Sequence, residues 1–400
     1  MGTRVWTGLV FLLLAVLGAK IAVAADLSLV PSINARTEFT SNLNNDFKNP
    51  ISDFIFTLSP AAEFNYTTEI SQIQGRLGLT GLHYLKESSA DHIDQSYQIS
   101  GKYRVAPRWN LSLSSAYIVD SSLQEELTTS GLIMSRTPRQ SFQVGPGVTY
   151  NLTERLAATL NYNFNKVNYQ DPQFRNYASQ QVGLTLNYPL KNEKTVLVGN
   201  FLVRETTYPG TDKYRSLGTY LGATHKFSEN WDLNLMAGVN TSFMDFQTQV
   251  VQTRQSFSIV PTQTRFKETN ISPYINVSTT RRWTNLSLTA GLSRDESPSA
   301  YGSISELYRA YGGANYQFSE RLSGSLTGEY SLSNQSSQQN NLQNDYFSIS
   351  PQVNYRVTEK LTASPGYRFG LRDDITNSRS ASVQVVWLML TYSYPIHYQR

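Results

Sequence analysis

The chain has 400 residues, of which 40% are hydrophobic and only 16% are charged, and its formal net charge is +4. It contains no cysteine, which excludes disulfides, cysteine-ligated zinc, iron–sulfur clusters and attachment of c-type haem. The nearly balanced charge gives no basic patch, so nucleic-acid binding is not expected. The 25 tyrosines and 18 phenylalanines are unusual for a soluble enzyme.

The first 25 residues have the pattern of a signal peptide. Arg4 gives a cationic start, the apolar stretch 8–18 is too short to span a bilayer, and Ala22-Val23-Ala24 forms a cleavage pattern. We expect a signal peptide at 1–25 and one mature domain at 26–400. An uncleaved N-terminal anchor is the weaker alternative, because Lys20 interrupts the apolar run.

A short phrase then recurs along the chain. It joins an alternating segment to a small polar cluster and a second alternating segment, at 103–117, 150–164, 225–239, 316–330 and 355–370. After the cluster at 153–155, one parity is apolar and the other is small or polar. The apolar parity carries Leu156, Ala158, Leu160, Tyr162 and Phe164, and the polar parity carries Ala157, Thr159, Asn161 and Asn163. A period of two predicts β-strands with one apolar face.

Strands with alternating apolar and polar residues occur in two kinds of architecture. A soluble β-sandwich or propeller has strands of about 5–6 residues, whereas these runs extend for about 10–15 residues, as expected for strands that cross a membrane at a tilt. Tyrosines also collect where strands meet polar turns, as an interfacial aromatic girdle requires. They are Tyr66, Tyr103, Tyr150, Tyr188, Tyr316 and Tyr355. The sequence therefore predicts an all-β, antiparallel, up-and-down outer-membrane β-barrel.

Short and long connections alternate along the chain. The short clusters read as periplasmic turns, and the longer polar segments read as extracellular loops at 42–52, 86–92, 119–136, 168–175, 206–213, 244–265, 294–304, 332–344 and 373–379. Strand centres are predicted near 34, 59, 78, 99, 113, 145, 161, 183, 200, 220, 237, 273, 288, 312, 326, 351, 366 and 387. These give about eighteen strands, within a range of 16–20, with both termini in the periplasm. Prolines on the apolar faces, such as Pro60 and Pro351, predict bulges or bends.

Barrels of this circumference usually enclose water. The segment 244–265 is the longest candidate for a loop that folds in and narrows the lumen, with an exposed surface loop as the equal alternative. Parity assigns eight charged residues to the lumen: Glu63, Arg76, Lys102, Arg104, Arg309, Glu329, Arg368 and Arg372. More cations than anions would favour anions, unless several of these residues pair with one another. Few aromatics fall on the lumenal parity, which argues weakly against a dedicated saccharide pore.

Motifs for chemistry are missing from the sequence. The four histidines, His83, His92, His225 and His397, have no paired-ligand spacing, and no GxSxG motif or phosphate-binding glycine loop occurs. We expect no enzyme activity, no catalytic residue, no metal and no cofactor.

A family resemblance adds to this pattern. The segment 27–66, with Thr40-Ser41-Asn42, a polar loop, Ser52-Asp53-Phe54-Ile55 and then Leu58-Ser59-Pro60, resembles the β-barrel porin family often encoded beside exopolysaccharide and exosortase systems in Gram-negative bacteria. The turn phrases and long alternating strands are similar too, so the resemblance spans the mature chain. It is specific for the class of barrel and not for any cargo.

The expected function is a porin-like channel in the bacterial outer membrane that lets small solutes or ions pass passively. One alternative is a barrel that assists exopolysaccharide export or surface assembly, and another is a structural barrel that sheaths a partner protein. Expected partners are outer-membrane lipid and the barrel-assembly machinery, with polysaccharide or periplasmic export proteins under the first alternative.

Overall fold

The computed structural model describes residues 25–121, 137–210, 212–251, 261–299, 304–336 and 341–399. The predicted signal peptide therefore lies outside the described residues, apart from Ala25. A single sheet contains all the described strands. They are β1 (Asp26–Thr40), β2 (Asp53–Thr67), β3 (Ser71–Tyr84), β4 (His92–Ala106), β5 (Trp109–Asp120), β6 (Arg139–Asn151), β7 (Ala157–Tyr169), β8 (Tyr177–Pro189), β9 (Thr195–Thr207), β10 (Lys213–Ser228), β11 (Trp231–Val251), β12 (Pro261–Arg282), β13 (Leu286–Pro298), β14 (Ile304–Gln317), β15 (Leu322–Ser336), β16 (Asn341–Arg356), β17 (Leu361–Asp374), β18 (Arg379–Ser393) and β19 (Ile396–Gln399).

The sheet closes on itself. Each strand from β1 to β18 pairs antiparallel with the next one in the chain, and β1 also pairs with β18 and with the four-residue β19. β18 and β19 lie in line along β1, interrupted at Tyr394-Pro395, because proline cannot donate to the ladder. They form one stave, so the structure is a closed antiparallel barrel of eighteen staves. The predicted number is confirmed, and every predicted strand centre falls inside a strand.

The repeated sequence motif forms the tight turns at one end of the barrel, here called the short-turn end. In the turn at 153–155, the side-chain oxygen of Thr153 accepts the backbone N–H of Leu156 at 2.9 Å. Thr358 accepts the N–H of Leu361 at 3.0 Å in the same way, and Ser319 accepts that of Leu322 at 3.2 Å. A hydroxyl that bonds to the backbone closes a tight turn between antiparallel strands. The recurring Ser or Thr therefore marks the start of a hairpin turn.

The connections at the opposite end, here called the loop end, are shorter than predicted in three places. Strands β11, β12, β13, β15 and β16 extend into the segments 244–265, 294–304 and 332–344. β11 and β12 remain paired from Trp231↔Arg281 to Val251↔Pro261, although β11 stops pairing with β10 at Asp245. The polar composition suggested loops, but a two-stranded hairpin that leaves the wall can be polar on both faces.

The prolines interrupt the ladder without adding a residue. Pro60 pairs with Ile33 on β1, while the pairing of β2 with β3 skips from Leu58↔Gly81 to Ala61↔Gly78 in unchanged register. The same interruption occurs between β16 and β17 beside Pro351. Of the predicted bulges or bends, a bulge is therefore wrong at these two positions, and a bend stays a prediction. A proline lacks the N–H for one ladder bond, and each strand keeps its pairing on the other side.

The outer face carries the apolar residues. Leu160 on β7 is 50% exposed and Leu388 on β18 is also 50% exposed, although both lie in the middle of a strand. Near the short turns, Tyr103, Tyr188, Tyr316 and Tyr355 are exposed as well. The buried side chains are instead concentrated inside the barrel toward the loop end, and many of them are polar. This inside-out arrangement is that of a barrel whose outer surface faces lipid.

Candidate functional site in the lumen

Four of the eight predicted lumenal charges form two ion pairs. Arg76 on β3 lies 3.1 Å from Glu63 on β2, and these two residues are direct cross-strand partners. Arg309 on β14 lies 3.0 Å from Glu329 on β15. Pairing of neighbours along the wall, the alternative left open by the sequence, accounts for these four side chains. They contribute little net field to the lumen.

Lys102 and Arg104 lie near the short-turn end of β4. Lys102 is opposite Gln72 on β3 and Ser112 on β5. The guanidinium of Arg104 donates to the backbone oxygen of Glu69 in the turn before β3, at 2.8 Å. Both side chains belong to exposed residues, and they add positive charge at this end of the barrel.

Arg368 and Arg372 share one parity of β17, opposite the parity of Pro365 and Phe369. Arg372 is only 5% exposed, and its guanidinium carbon lies 4.7 Å from the ring centre of Phe47. Arg379 on β18 approaches the same ring at 4.9 Å. Phe47 belongs to the connection 41–52, so this loop covers Arg372.

Asp46 orders the loop that carries Phe47. The backbone N–H groups of Lys48 and Asn49 donate to its Oδ1 at 2.8 and 3.2 Å. These hydrogen bonds, led by that of Lys48, hold the pKa of the exposed Asp46 carboxyl below its usual range. These two hydrogen bonds help to hold the loop conformation that places Phe47 over Arg372.

The main constriction is formed by residues that the sequence did not single out. The pairing of β12 with β13 ends at Ile275↔Arg294, whereas β12 continues along β11, and β13 continues along β14 to Pro298↔Ile304. Beyond Arg294, the end of β13 and Ser299 are therefore no longer paired with β12. We call the segment 294–299 the inward segment, because its contacts are with lumenal side chains of other strands.

Glu296 anchors the inward segment. Its Oε2 accepts hydrogen bonds from Tyr214 on β10 at 2.7 Å and from Ser242 on β11 at 2.8 Å, and its Oε1 accepts one from Ser272 on β12. Glu296 is 3% exposed. A buried carboxylate requires such donors, because leaving it without partners costs several kcal/mol. Three neighbouring strands are in this way tied to one acid.

Arg204 holds the backbone of the same segment. Its Nη1 donates to the backbone oxygen of Glu296 at 3.0 Å, and its Nε and Nη2 donate to Oε1 of Gln181 at 3.1 and 3.0 Å. Further along, the hydroxyl of Tyr208 donates to the backbone oxygen of Ser299 at 3.2 Å. Burial raises the pKa of Tyr208 well above its ordinary value, so the hydroxyl keeps its proton and remains a donor.

Arg294 bridges the place where the strands separate. Its guanidinium donates to the backbone oxygen of Pro273 on β12 and lies 3.0 Å from the carboxylate of Glu306 on β14. The side chain is thus bonded to both strands that flank β13. It stabilises the barrel wall at the point where ladder hydrogen bonds are missing.

A polar cavity of about 190 Å³ lies between the inward segment and strands β7 to β12. Arg204, Asp295, Tyr220 and Tyr274 are among the residues that line it. The two tyrosine rings lie 4.1 Å apart, and the hydroxyl of Tyr220 donates to Asn240. The expectation of few lumenal aromatics is therefore wrong at this level of the barrel, because Tyr220 on β10 and Tyr274 on β12 lie on the parity that faces the interior.

The proposed narrowing by 244–265 is not seen in the described part of that segment. Its described residues continue the β11–β12 hairpin, and its tip, 252–260, lies outside the described residues. The observed narrowing comes instead from the end of β13, within a segment that was predicted to be a loop. Sequence parity could not identify Glu296, because its three partners lie 82, 54 and 24 residues away.

Two histidines at the loop end have polar partners. His83 pairs with Asp91 at 2.7 Å, and His92 approaches Ser121 at 2.6 Å, both at the loop end. Across the described ranges, no cluster of three metal-ligating side chains occurs. Within those same ranges, no helix is long and apolar enough to cross a membrane.

The architecture defines a class of protein. A closed antiparallel barrel of eighteen staves, with an apolar outer face and a polar interior, matches bacterial outer-membrane barrels. The chain matches no protein-family model and no curated protein sequence.

Solved structures with similarity to the chain include several outer-membrane proteins. The outer membrane protein OpdK from Pseudomonas aeruginosa is 13% identical, with a TM-score of 0.46 over 93% of this chain and 99% of that chain. OccAB3 from Acinetobacter baumannii is 13% identical, with a TM-score of 0.44 over 92% and 99% of the two chains. The ferric-catecholate import receptor Fiu from E. coli K12 is 8% identical, with a TM-score of 0.47 over 91% and 81%. These similarities do not identify a function for this chain.

Proposed function

We propose that this protein is an outer-membrane channel through which small polar solutes or ions pass passively. The observation that carries the proposal is the polar interior of a closed barrel whose exposed outer residues are apolar. A barrel of this circumference is wide enough to enclose water. The inward segment, held by Glu296 and Arg204, narrows that interior at one level and would limit the size of the solute.

Several features support an outer-membrane location. The outward tyrosines near the short turns have the position of an interfacial girdle, and the signal-peptide pattern at 1–25 is consistent with export. Lipid would then contact the apolar face, and the barrel-assembly machinery would insert the chain. Neither role requires a cofactor or an enzyme reaction.

Conductance in a planar lipid bilayer is the direct test. Purified full-length mature protein is expected to produce discrete current steps in a simple salt such as KCl. Protein that inserts as a folded barrel without conducting would contradict the channel proposal. Boiled, unfolded protein at the same concentration is the control for detergent artefacts.

The alternatives give a different result. Assistance in exopolysaccharide export is suggested by the family resemblance alone, and a sheath for a partner protein by the barrel form alone. Either role would be favoured by a folded barrel that is electrically silent when purified. Association with periplasmic export proteins or with polysaccharide would then be the next measurement.

A further inference from the structure

We infer that the cavity beneath the inward segment binds a small zwitterionic solute, one that carries both an ammonium group and a carboxylate. This inference rests on the proposed channel function and specifies its solute. The evidence is a fixed cation and an acid that line the same cavity and, within the described ranges, form no direct ion pair with each other.

The cation is Arg204. A guanidinium has five N–H donors. Three of these N–H groups of Arg204 already donate hydrogen bonds, two to Oε1 of Gln181 and one to the backbone oxygen of Glu296. Two N–H groups are left for a ligand. Because the three existing bonds fix the plane of the guanidinium, a carboxylate in the cavity would meet a preorganised donor pair.

The acid is Asp295, the neighbour of the anchoring residue. Its Oδ1 accepts the backbone N–H of Glu296 at 2.7 Å, and its side chain is exposed to the cavity. Its Oδ2 has no hydrogen-bond partner among the described residues. Asp295 and Arg204 attract each other electrostatically, but no direct ion pair joins them in the part of the chain that the structure describes, so both groups can contact a ligand. An ammonium group in the cavity would find an available acceptor.

The other acid of the cavity is already satisfied. Glu296 accepts hydrogen bonds from three hydroxyl groups and is buried. A simple anion would bind Arg204 but leave Asp295 unpaired, and a simple cation would do the reverse. A solute with both charges neutralises both groups at once, and the amides of Asn161 and Asn200 provide neutral contacts on the cavity wall.

The test is isothermal titration calorimetry of the purified mature protein in detergent. Glycine, β-alanine and 4-aminobutyrate serve as zwitterions with increasing charge separation, and acetate and methylammonium serve as single-charge controls. At least one zwitterion is expected to bind at least about tenfold more tightly than either control, since each control lacks one charge-assisted hydrogen bond. If no zwitterion binds, or if acetate or methylammonium binds equally well, the inference is overturned.

Substitutions then locate the site. Asp295→Asn keeps the size of an exposed side chain and should fold, and it is expected to weaken zwitterion binding, as is Arg204→Gln. Arg215→Gln is the matched control, because Arg215 pairs with Glu205 at 2.5 Å away from this cavity. Unchanged affinity in Asp295→Asn would overturn the inference. The conductance of the same preparation is measured separately. A protein that conducts ions but binds no zwitterion would refute the inferred solute class, and a protein that binds a zwitterion but conducts no current would refute the proposed channel.

Discussion

Arg204 on β9 donates a hydrogen bond of 3.0 Å to the backbone oxygen of Glu296 on β13, which lies 92 residues further along the chain. This bond joins staves that are not neighbours in the sheet. Together with the three hydroxyl groups that bind the Glu296 carboxylate, it draws the end of β13 across the interior. The width of the lumen at this level therefore depends on side chains from several separate strands.

The first prediction concerns this anchor. Glu296→Ala removes the acceptor for Tyr214, Ser242 and Ser272, and a buried hydroxyl left unpaired costs about 1–3 kcal/mol. The inward segment should then lose its fixed position, and the single-channel conductance should rise. Glu205→Ala, which removes an acid paired with Arg215 elsewhere, is the control and should leave conductance unchanged. A Glu296→Ala channel with the wild-type conductance would show that the segment does not limit the current.

A second prediction tests which face of β7 meets lipid. Leu160→Arg places a charge on the outer face, which costs about 2–4 kcal/mol near the bilayer midplane. Assembly in the outer membrane should fall. Asn161→Arg, one residue further, lines the cavity and should assemble while lowering the conductance. Equal assembly of both variants would contradict the assignment of the faces.

The third prediction concerns location and stability. The protein should fractionate with the outer membrane, and it should migrate differently in detergent gels before and after boiling, as closed barrels resist detergent until heated. Recovery of the wild-type protein as a soluble periplasmic species would contradict the membrane assignment. The gel shift also reports folding for every variant proposed above.

A fourth prediction concerns the two arginines of β17. Arg368→Glu together with Arg372→Glu should shift the reversal potential in a salt gradient toward cation preference, because two charges change sign and the net charge of the wall falls by about four units. Phe47 covers Arg372, so Phe47→Ala should expose that guanidinium and increase anion preference. A selectivity that neither substitution alters would show that this part of β17 does not set the field of the pore.

The period-two pattern predicted the barrel well because it reports a local property. Each stave has one apolar outer face, so the alternation of neighbours such as Leu160 and Asn161 predicts a strand and the direction of its faces. The polar clusters between such segments predict the turns, and neither step requires knowledge of the rest of the chain. The ion pair of Arg76 with Glu63 was also within reach, since direct cross-strand neighbours follow from strand register.

The constriction could not be predicted in the same way. Asp295 and Glu296 lie in a polar stretch that resembles a loop, and alternation says nothing about a strand that leaves its neighbour. The partners of Glu296 come from three other strands, and only the closed geometry brings them together. Phe47 was missed for a similar reason, because the fold of loop 41–52 over Arg372 depends on local hydrogen bonds to Asp46.

The most direct test of the channel and its constriction uses the natural absence of cysteine. Asp295→Cys introduces the sole thiol of the chain at the cavity, and Leu160→Cys introduces one on the outer face as the control. A charged, membrane-impermeant methanethiosulfonate reagent should reduce the current through Asp295→Cys channels and leave Leu160→Cys channels unchanged. Complete modification of Asp295→Cys, verified by mass spectrometry, with no change in current would contradict the central claim that ions pass beside the inward segment.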